Sequence, residues 1–248
     1  MCLIVIPARY ASSRFPGKPL VLINDKPMVI NVYERALKSK FASKVIIATD
    51  DNRIFNCAKK FKANVEMTSS NIKSGSDRVY QIAKRYDFDI IVNLQGDEPF
   101  IDPNIIDNAI LTLKKDTLSD ISTPVKSISN MEDIQNPNIV KAVFNSDNYA
   151  IYFSRSPIPF HREHNKDKNS CYYHKHIGIY CYRKSALEKF VKLPVSNLEQ
   201  IESLEQLRAI EAGMKIKIFL TDYESMGIDT PEDLEQVKKL HYFQTTFE

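Results

Sequence analysis

Arg9, Arg14 and Lys18 crowd around Ser12, Ser13 and Gly17 in the run Ile4-Val-Ile-Pro-Ala-Arg-Tyr-Ala-Ser-Ser-Arg-Phe-Pro-Gly-Lys-Pro19. Three cations on one short loop repel one another unless an anion sits between them, and Pro7, Pro16 and Pro19 limit how far the loop can collapse. The pattern reads as a cradle for a polyanion such as a triphosphate; the competing reading is a basic surface loop behind a buried strand. Asp97 and Glu98 stand just past the carboxyl end of a second apolar run, Ile90-Ile-Val-Asn-Leu-Gln-Gly-Asp-Glu-Pro99. Ligands of open α/β sheets bind at such strand ends, and Mg²⁺ favours one or two carboxylates together with phosphate oxygens. Asp97 is therefore the first candidate metal ligand, against the plainer role of a turn-forming Asp beside a solvated Glu. Asp229, in Met226-Gly-Ile-Asp-Thr-Pro-Glu-Asp-Leu234, is a second carboxylate of this kind, and it equally suits the dipole of the helix after it.

Ser74-Gly-Ser-Asp-Arg78 opens a helical pattern with small hydroxyls and backbone N–H groups, a geometry for an anion or a ribose. Asp77 and Arg78 read alternatively as a cap and a surface cation. Asp87-Phe-Asp89 matches the DxD pattern of metal-dependent glycosyltransferases but enters its strand at the amino end, facing away from such a site. His161, His164, Cys171, His174 and His176 include one ligand-like spacing for zinc, Cys171 and His174, with no second thiolate nearby. Of six glycines, Gly17, Gly75, Gly96, Gly178 and Gly227 lie among these chemically able residues, which marks their loops as candidate site loops, while Gly213 reads as a helix end.

These residues need elements to hold them. Apolar runs predict strands near 3–6, 45–48 and 90–94, alternating with helices near 27–39, 52–61, 77–86 and 103–114. That alternation means a parallel sheet with helical crossovers, and the nearly continuous apolar runs Leu3–Ile6 and Ile90–Leu94 belong to central strands. Beyond residue 120, aromatic-rich strand-like pieces at 139–144, 149–153 and 176–182 predict an antiparallel extension. Residues 161–175 are polar and lysine-rich and read as an exposed loop. Ser196 and Glu199 form a capping-box pattern, and Thr230-Pro231-Glu232-Asp233 opens a last helix. No repeat or linker divides the chain, so a single α/β domain over 1–248 is expected, with its first part to about 120 and an elaborated part over about 121–225.

Composition narrows the function classes. The chain has 248 residues, 43% apolar and 26% charged, as in an ordinary globular protein, and its net charge of +3 is too small to argue for nucleic acid. No stretch approaches the roughly 18 apolar residues of a membrane span. Four cysteines without a CxxC pair, and a start without an export pattern, predict reduced thiols in the cytoplasm. A small anionic substrate fits best.

Taken in order, Ile-Pro-Ala-Arg-Tyr-Ala-Ser-Ser-Arg-Phe-Pro-Gly-Lys-Pro-Leu, Ala-Thr-Asp-Asp, Ser-Gly-Ser-Asp-Arg, Asn-Leu-Gln-Gly-Asp-Glu-Pro, Tyr-Phe-Ser-Arg-Ser-Pro-Ile-Pro, His-Ile-Gly-Ile-Tyr, Leu-Glu-Gln-Leu-Arg and Gly-Ile-Asp-Thr-Pro-Glu-Asp-Leu resemble the 3-deoxy-manno-octulosonate cytidylyltransferase (CMP-Kdo synthetase) family over almost the whole chain. The resemblance implies a Rossmann-like nucleotidyltransferase fold with a mostly parallel central sheet, a homodimer, CTP and Mg²⁺, and transfer of CMP to Kdo for lipopolysaccharide assembly in a Gram-negative cytoplasm. It implies that Ala8, Arg9, Ser12, Arg14, Lys18, Ser74, Arg78 and Gln95 hold the nucleotide, and that Asp97 and Asp229 hold the metal. Arg155, His176, Tyr180, Glu202 and Glu205 match its sugar-acid pocket, where cations and His can pair with a carboxylate and Glu oxygens accept from hydroxyls. Phe15, Ser76, Asp77 and Ser225-Met226 depart from the family pattern. Activation of a Kdo analogue or of sialic acid is the neighbouring reading, a nucleotide-sugar-dependent glycosyltransferase the more distant one, and a non-enzymatic nucleotide-binding regulator the most distant.

Overall fold

Cys2 to Ile6 are five consecutive side chains at most 1% exposed, a pattern that a strand sustains when both its faces are covered. In the computed structural model, which describes residues 1–11, 15–72, 74–162, 173–228 and 230–237, they belong to strand β1 (Cys2–Ala8). The chain forms two compact units, Met1–Asp107 with Ser225–Glu248, and Asn108–Glu224.

In the first unit β1 is followed by the small antiparallel pair β2 (Leu22–Ile23) and β3 (Lys26–Pro27), then α1 (Met28–Ala36), β4 (Lys44–Thr49), α2 (Asn52–Lys60), β5 (Val65–Met67), α3 (Gly75–Ala83), β6 (Ile90–Asn93) and the start of α4 (Pro103–Lys115), whose residues from Asn108 on belong to the second unit. β1 lies between β4 and β6, parallel to both, and β5 continues the parallel set beyond β4. Parallel neighbours require crossovers, supplied here by α1, α2 and α3. Four strands consequently end at one edge, and the loops after β1, β4 and β6 converge there. The expected strands and helices of this part are all found, with ends moved by a few residues. The helical segment 231–237 opens as expected on Thr230, whose hydroxyl accepts from Asp233 N–H at 3.2 Å while Asp233 accepts from Thr230 N–H at 2.9 Å. Leu234 and Val237 anchor that segment on Ile23, Met28 and Ile228.

The second unit contains β7 (Ile121–Ile128), α5 (Met131–Gln135), β8 (Lys141–Phe144), β9 (Ala150–Ser154), β10 (Tyr173–His176), β11 (Tyr180–Arg183), α6 (Lys184–Lys192), α7 (Asn197–Glu202), α8 (Gln206–Glu211) and β12 (Ile216–Leu220). The antiparallel extension is present: β7 pairs with β10 and β11, β10 with β8, and β8 with β9, all antiparallel, while β12 runs parallel to β7. Three details differ from the sequence reading. The strand expected over 176–182 is broken, because the six residues from His176 to Cys181 face the four from Val125 to Ser122. β7 itself was hidden by Pro124, which is tolerated because it faces that break and needs only to accept, from Ile177 N–H at 3.1 Å. The helix signalled at Ser196 divides into α7 and α8 at Ser203, which adopts φ 52° and lets the chain turn. Its capping box is complete, and Glu199 also takes a paired contact from Arg208 at 2.6 and 2.7 Å. Met214 N–H reaches back to the Ala209 carbonyl at 2.9 Å, closing α8 at Gly213 as expected.

Lys141 is completely buried, and its ammonium donates to the carbonyls of Asn136, Ile139 and Arg155 at 2.9, 2.6 and 2.6 Å. A lysine is rarely interior, and here its ammonium is matched by three carbonyl acceptors, of which that of Asn136 also takes the Ile139 N–H at 3.2 Å. Lys141→Ala should cost about 3 kcal/mol of folding stability, because three part-buried carbonyls lose a shared charged donor and the interior loses the packing of its stem. Urea denaturation measures this; a midpoint within error of the parent would show that the tripod is not a structural strut.

Candidate active site

The loop after β1 must bend sharply to bring Lys18 back toward the strand ends. Gly17 makes the bend at φ 74°, its N–H donates to the Tyr10 carbonyl at 2.9 Å, and a Cβ here would meet the Tyr10 ring at 3.2 Å. Arg53 covers that ring at 3.2 Å from its centroid and is itself held by Asp51 at 2.7 Å. The loop ends are therefore fastened by backbone and by stacking. Lys18 starts a short 3₁₀ turn, Lys18–Leu20, and its Nζ lies 2.8 Å from Asp97 Oδ2.

Asp97 comes from the loop after β6. Gly96 lets that loop pass β1 closely, since a Cβ would stand 3.0 Å from the Pro7 carbonyl oxygen. The segment after Glu224 is sewn to the same turn: Ile228 N–H donates to the Asp97 carbonyl at 3.0 Å, and the Ser225 hydroxyl donates to the Glu98 carboxylate. Ala8, Arg9, Lys18, Arg78, Gln95 and Asp97, with Gly75, line one cavity of about 370 Å³. Arg9 donates to the Ile72 carbonyl at 3.1 Å, and Gln95 reaches Asn93 at 3.4 Å.

Arg78 is not a surface cation. It is fully buried, paired with Asp50 at 2.8 Å and bonded to the Thr68 hydroxyl, while its Nε has no hydrogen-bond partner. Arg78 is thus a buried guanidinium on the cavity wall with one donor unsatisfied, and it has hydrogen-bonding capacity left for an anionic or carbonyl acceptor. Ser74, not Asp77, caps α3: its hydroxyl accepts from Asp77 N–H at 3.0 Å and lies 2.9 Å from the Asp77 carboxylate. Ser12, Arg14 and Asp229 lie outside the described residues.

The five residues matched to a sugar-acid pocket all fall in the second unit. Glu202 accepts from the Ser154 hydroxyl at 2.6 Å and from Arg155 N–H at 2.9 Å, and the Arg155 guanidinium donates to the carbonyls of Glu202, Pro137 and Ser203. His176 and Tyr180 stack with ring centroids 5.3 Å apart, and the Thr123 hydroxyl, which donates to the Ile179 carbonyl at 2.7 Å, faces His176 Nε2 at 2.9 Å. Burial pushes His176 down to about 3 and raises the Tyr180 phenol well above its ordinary range. Burial accordingly disfavours the charged form of His176, so what it offers its surroundings is the hydrogen-bonding capacity of an imidazole. Glu205 stands 3.9 Å from Arg208.

Asp50, Thr123, Lys141 and the Glu98–Ser225 contact escaped the sequence reading. The Asp50 signal was present, since Asp50 comes after β4 as Asp97 comes after β6. Asp97 offers hard oxygens beside a cavity with cationic walls, a donor type that suits Mg²⁺ together with phosphate oxygens; among the described residues no group of three His, Cys, Asp or Glu is placed to hold a metal ion. Cys171, His164 and most of the 161–175 loop lie outside the described residues. Cys2 and Cys181 are buried, Cys57 is half-buried and none is in a disulfide, and among the described residues no helix is long and apolar enough to cross a membrane.

A cytidylyltransferase family model matches residues 3–216. The chain is 51% identical to the 3-deoxy-manno-octulosonate cytidylyltransferase of Thermodesulfovibrio yellowstonii, covering 95% of this chain and 96% of the relative. The chain belongs to the 3-deoxy-manno-octulosonate cytidylyltransferase family. It is 48% identical to the enzyme of that name from Solibacter usitatus, over 95% of this chain and 92% of that one. A solved structure of CMP:2-keto-3-deoxy-manno-octonic acid synthetase complexed with CTP matches at a TM-score of 0.92 and 41% identity, covering 98% of this chain and 99% of the other. The expected nucleotidyltransferase fold is thereby established for this member of the family, with a parallel first half and an antiparallel second.

The neutral imidazole has a measurable signature. A folded-state pKa near 3 against an ordinary 6.5 means that the unfolded chain binds the proton more readily. The contribution of His176 to stability is thus present above pH 6.5 and is lost as pH falls toward 3. Its ring proton shift should stay constant between pH 8 and pH 5 in NMR titration, and His176→Gln should flatten the acid loss of stability; a His176 midpoint near 6.5 would contradict this environment.

Proposed function

We propose that this protein transfers CMP from CTP to 3-deoxy-manno-octulosonate, giving CMP-Kdo and pyrophosphate for lipopolysaccharide synthesis. The observation that carries the reading is the Lys18–Asp97 contact on a cavity lined by Arg9 and Arg78, in a chain half identical to cytidylyltransferases of that specificity. The anomeric hydroxyl of the sugar acid attacks the α-phosphate in line, and pyrophosphate leaves. Lys18 and Arg14 offset the charge that grows on the leaving group, while Arg9, Arg78 and Gln95, with Ala8, Ser12 and Ser74, seat the nucleotide. A divalent cation held by Asp97 and Asp229 supplies Lewis-acid polarisation of the α-phosphate when bound. Supporting Asp229 in this role, its neighbour Ile228 is hydrogen-bonded to Asp97.

Arg155, His176, Tyr180, Glu202 and Glu205 take the sugar acid in this reading, Arg155 through its charge and the neutral His176 as a hydrogen-bonding wall. The part over about 1–120 serves the nucleotide and that over about 121–225 serves the sugar acid and dimerisation. A homodimer fits the exposed apolar side chains Ile151, Phe160 and Ile201 of the second unit, and a cytoplasmic setting fits the thiols.

Incubation with CTP, Mg²⁺ and a panel of sugar acids, read by mass, should give CMP-Kdo with stoichiometric pyrophosphate. Formation of CMP-sialic acid in its place, or absence of pyrophosphate, would overturn the assignment. Asp97→Asn should reduce turnover by roughly 10² or more, the loss expected when one preorganised electrostatic group leaves a transition state. Steady-state rates across a Mg²⁺ titration check this, and an unchanged metal dependence would remove Asp97 from the metal site.

A further inference from the structure

We propose that Lys18 has a second task before any nucleotide arrives: its ammonium occupies Asp97 Oδ2 and excludes the bare divalent cation, so that the site takes the cation together with a triphosphate. This rests on the reading of Asp97 as a metal carboxylate. The pair is built into the fold rather than formed by two mobile surface groups. Its side chains are 15% and 28% exposed at a separation of 2.8 Å. Lys18 is held by a turn in which Leu20 N–H donates to the Gly17 carbonyl at 2.9 Å and Pro19 is buried. Asp97 is held by Ile228 N–H at its carbonyl and by the close passage of Gly96 over Pro7. Neither partner can be displaced by a simple loop adjustment.

A cation arriving alone must take an oxygen that already accepts from an ammonium, and it must sit beside that positive charge. Both terms oppose binding, and they are stronger in a partly buried site than in water. A triphosphate changes the balance, because its oxygens offer the same ammonium a more highly charged acceptor within the same cavity. The flexible four-carbon stem of lysine permits that transfer, whereas a rigid fork would not pivot as readily. Oδ2 is released as the cation comes in on the phosphates. By linkage the two bindings must favour each other equally, so the ion pair becomes a device for accepting metal and nucleotide together.

Removing Lys18, itself a nucleotide-site residue, should therefore strengthen cation binding to nucleotide-free protein. Mn²⁺ binding is measured by electron paramagnetic resonance without CTP or sugar, on the parent protein, Lys18→Met, Lys18→Gln, Lys18→Arg, Asp97→Asn and the Lys18→Met, Asp97→Asn double variant. Lys18→Met and Lys18→Gln should bind Mn²⁺ about five- to tenfold tighter than the parent, the scale of one partly buried ion pair. Lys18→Arg, which keeps the charge, should stay near the parent, and the double variant should lose the gain. Circular dichroism on the same samples selects the folded variants, and the two neutral substitutions guard against the failure of one. Equal Mn²⁺ affinity in parent and neutral variants, or a gain that survives Asp97→Asn, overturns the proposal. Failure of the parent to make CMP-Kdo would instead count against the assigned reaction, which this titration does not use.

Discussion

The contact between the Lys18 ammonium and the Asp97 carboxylate joins residues far apart in sequence, and it exists because β1 and β6 run side by side in the same direction. Parallel pairing places the carboxyl ends of neighbouring strands together, so the loop leaving one strand meets the loop leaving its neighbour. The first unit exploits this three times. β1 leads to Arg9 and Lys18, β4 to Asp50, and β6 to Gln95 and Asp97. Arg78, at the start of α3, is then trapped between them and made rigid by Asp50 and Thr68. A sheet with β6 reversed would keep every one of these residues and lose the site.

Much of this was legible in the sequence because the first unit obeys simple periodicities. The buried runs Leu3–Ile6 and Ile90–Leu94 are nearly all apolar, and the helices between them show clear amphipathic patterns, so both central strands and their crossovers could be placed. The cationic loop and the carboxylate at the end of β6 were legible for the same reason. Pairing specificity, by contrast, could not be read. Arg78 read equally as a site residue and as a surface cation, because nothing local reveals that Asp50 will face it across a strand end. Pro124 masked β7, since a proline in a central strand is acceptable only where the partner strand is irregular, and that irregularity depends on residues more than fifty positions later. Ser203 likewise ended α7 by adopting a left-handed backbone that its side chain does not advertise.

In the second unit the electrostatics are those of a packed interior. Lys141 and Arg155 direct their donors at backbone carbonyls, and Glu202 directs both oxygens at the chain around Ser154 and Arg155. Such a network fixes the backbone of a loop before a ligand arrives, which lowers the ordering cost of recognition. His176 and Tyr180 are kept uncharged by burial and present shape and hydrogen-bonding capacity. In the proposed sugar-acid role, such a pocket discriminates by fit, with net charge left to Arg155.

The break between β10 and β11 constrains insertions and deletions. Side chains alternate along a strand with a period of two, so an excess of two residues leaves the strand facing the same way on both sides of the break. His176, Tyr180 and Tyr182 consequently form one continuous row of rings, ending on Phe190. Loss of a single residue from 177–179 would turn Tyr180 and Tyr182 to the opposite face and scatter that row. Loss of two would preserve the facing and straighten the strand, leaving the Thr123 hydroxyl without the turned carbonyl it now bonds. A change of two residues at this point keeps the facing and a change of one does not, a parity imposed by the pleat and independent of which amino acids are gained or lost.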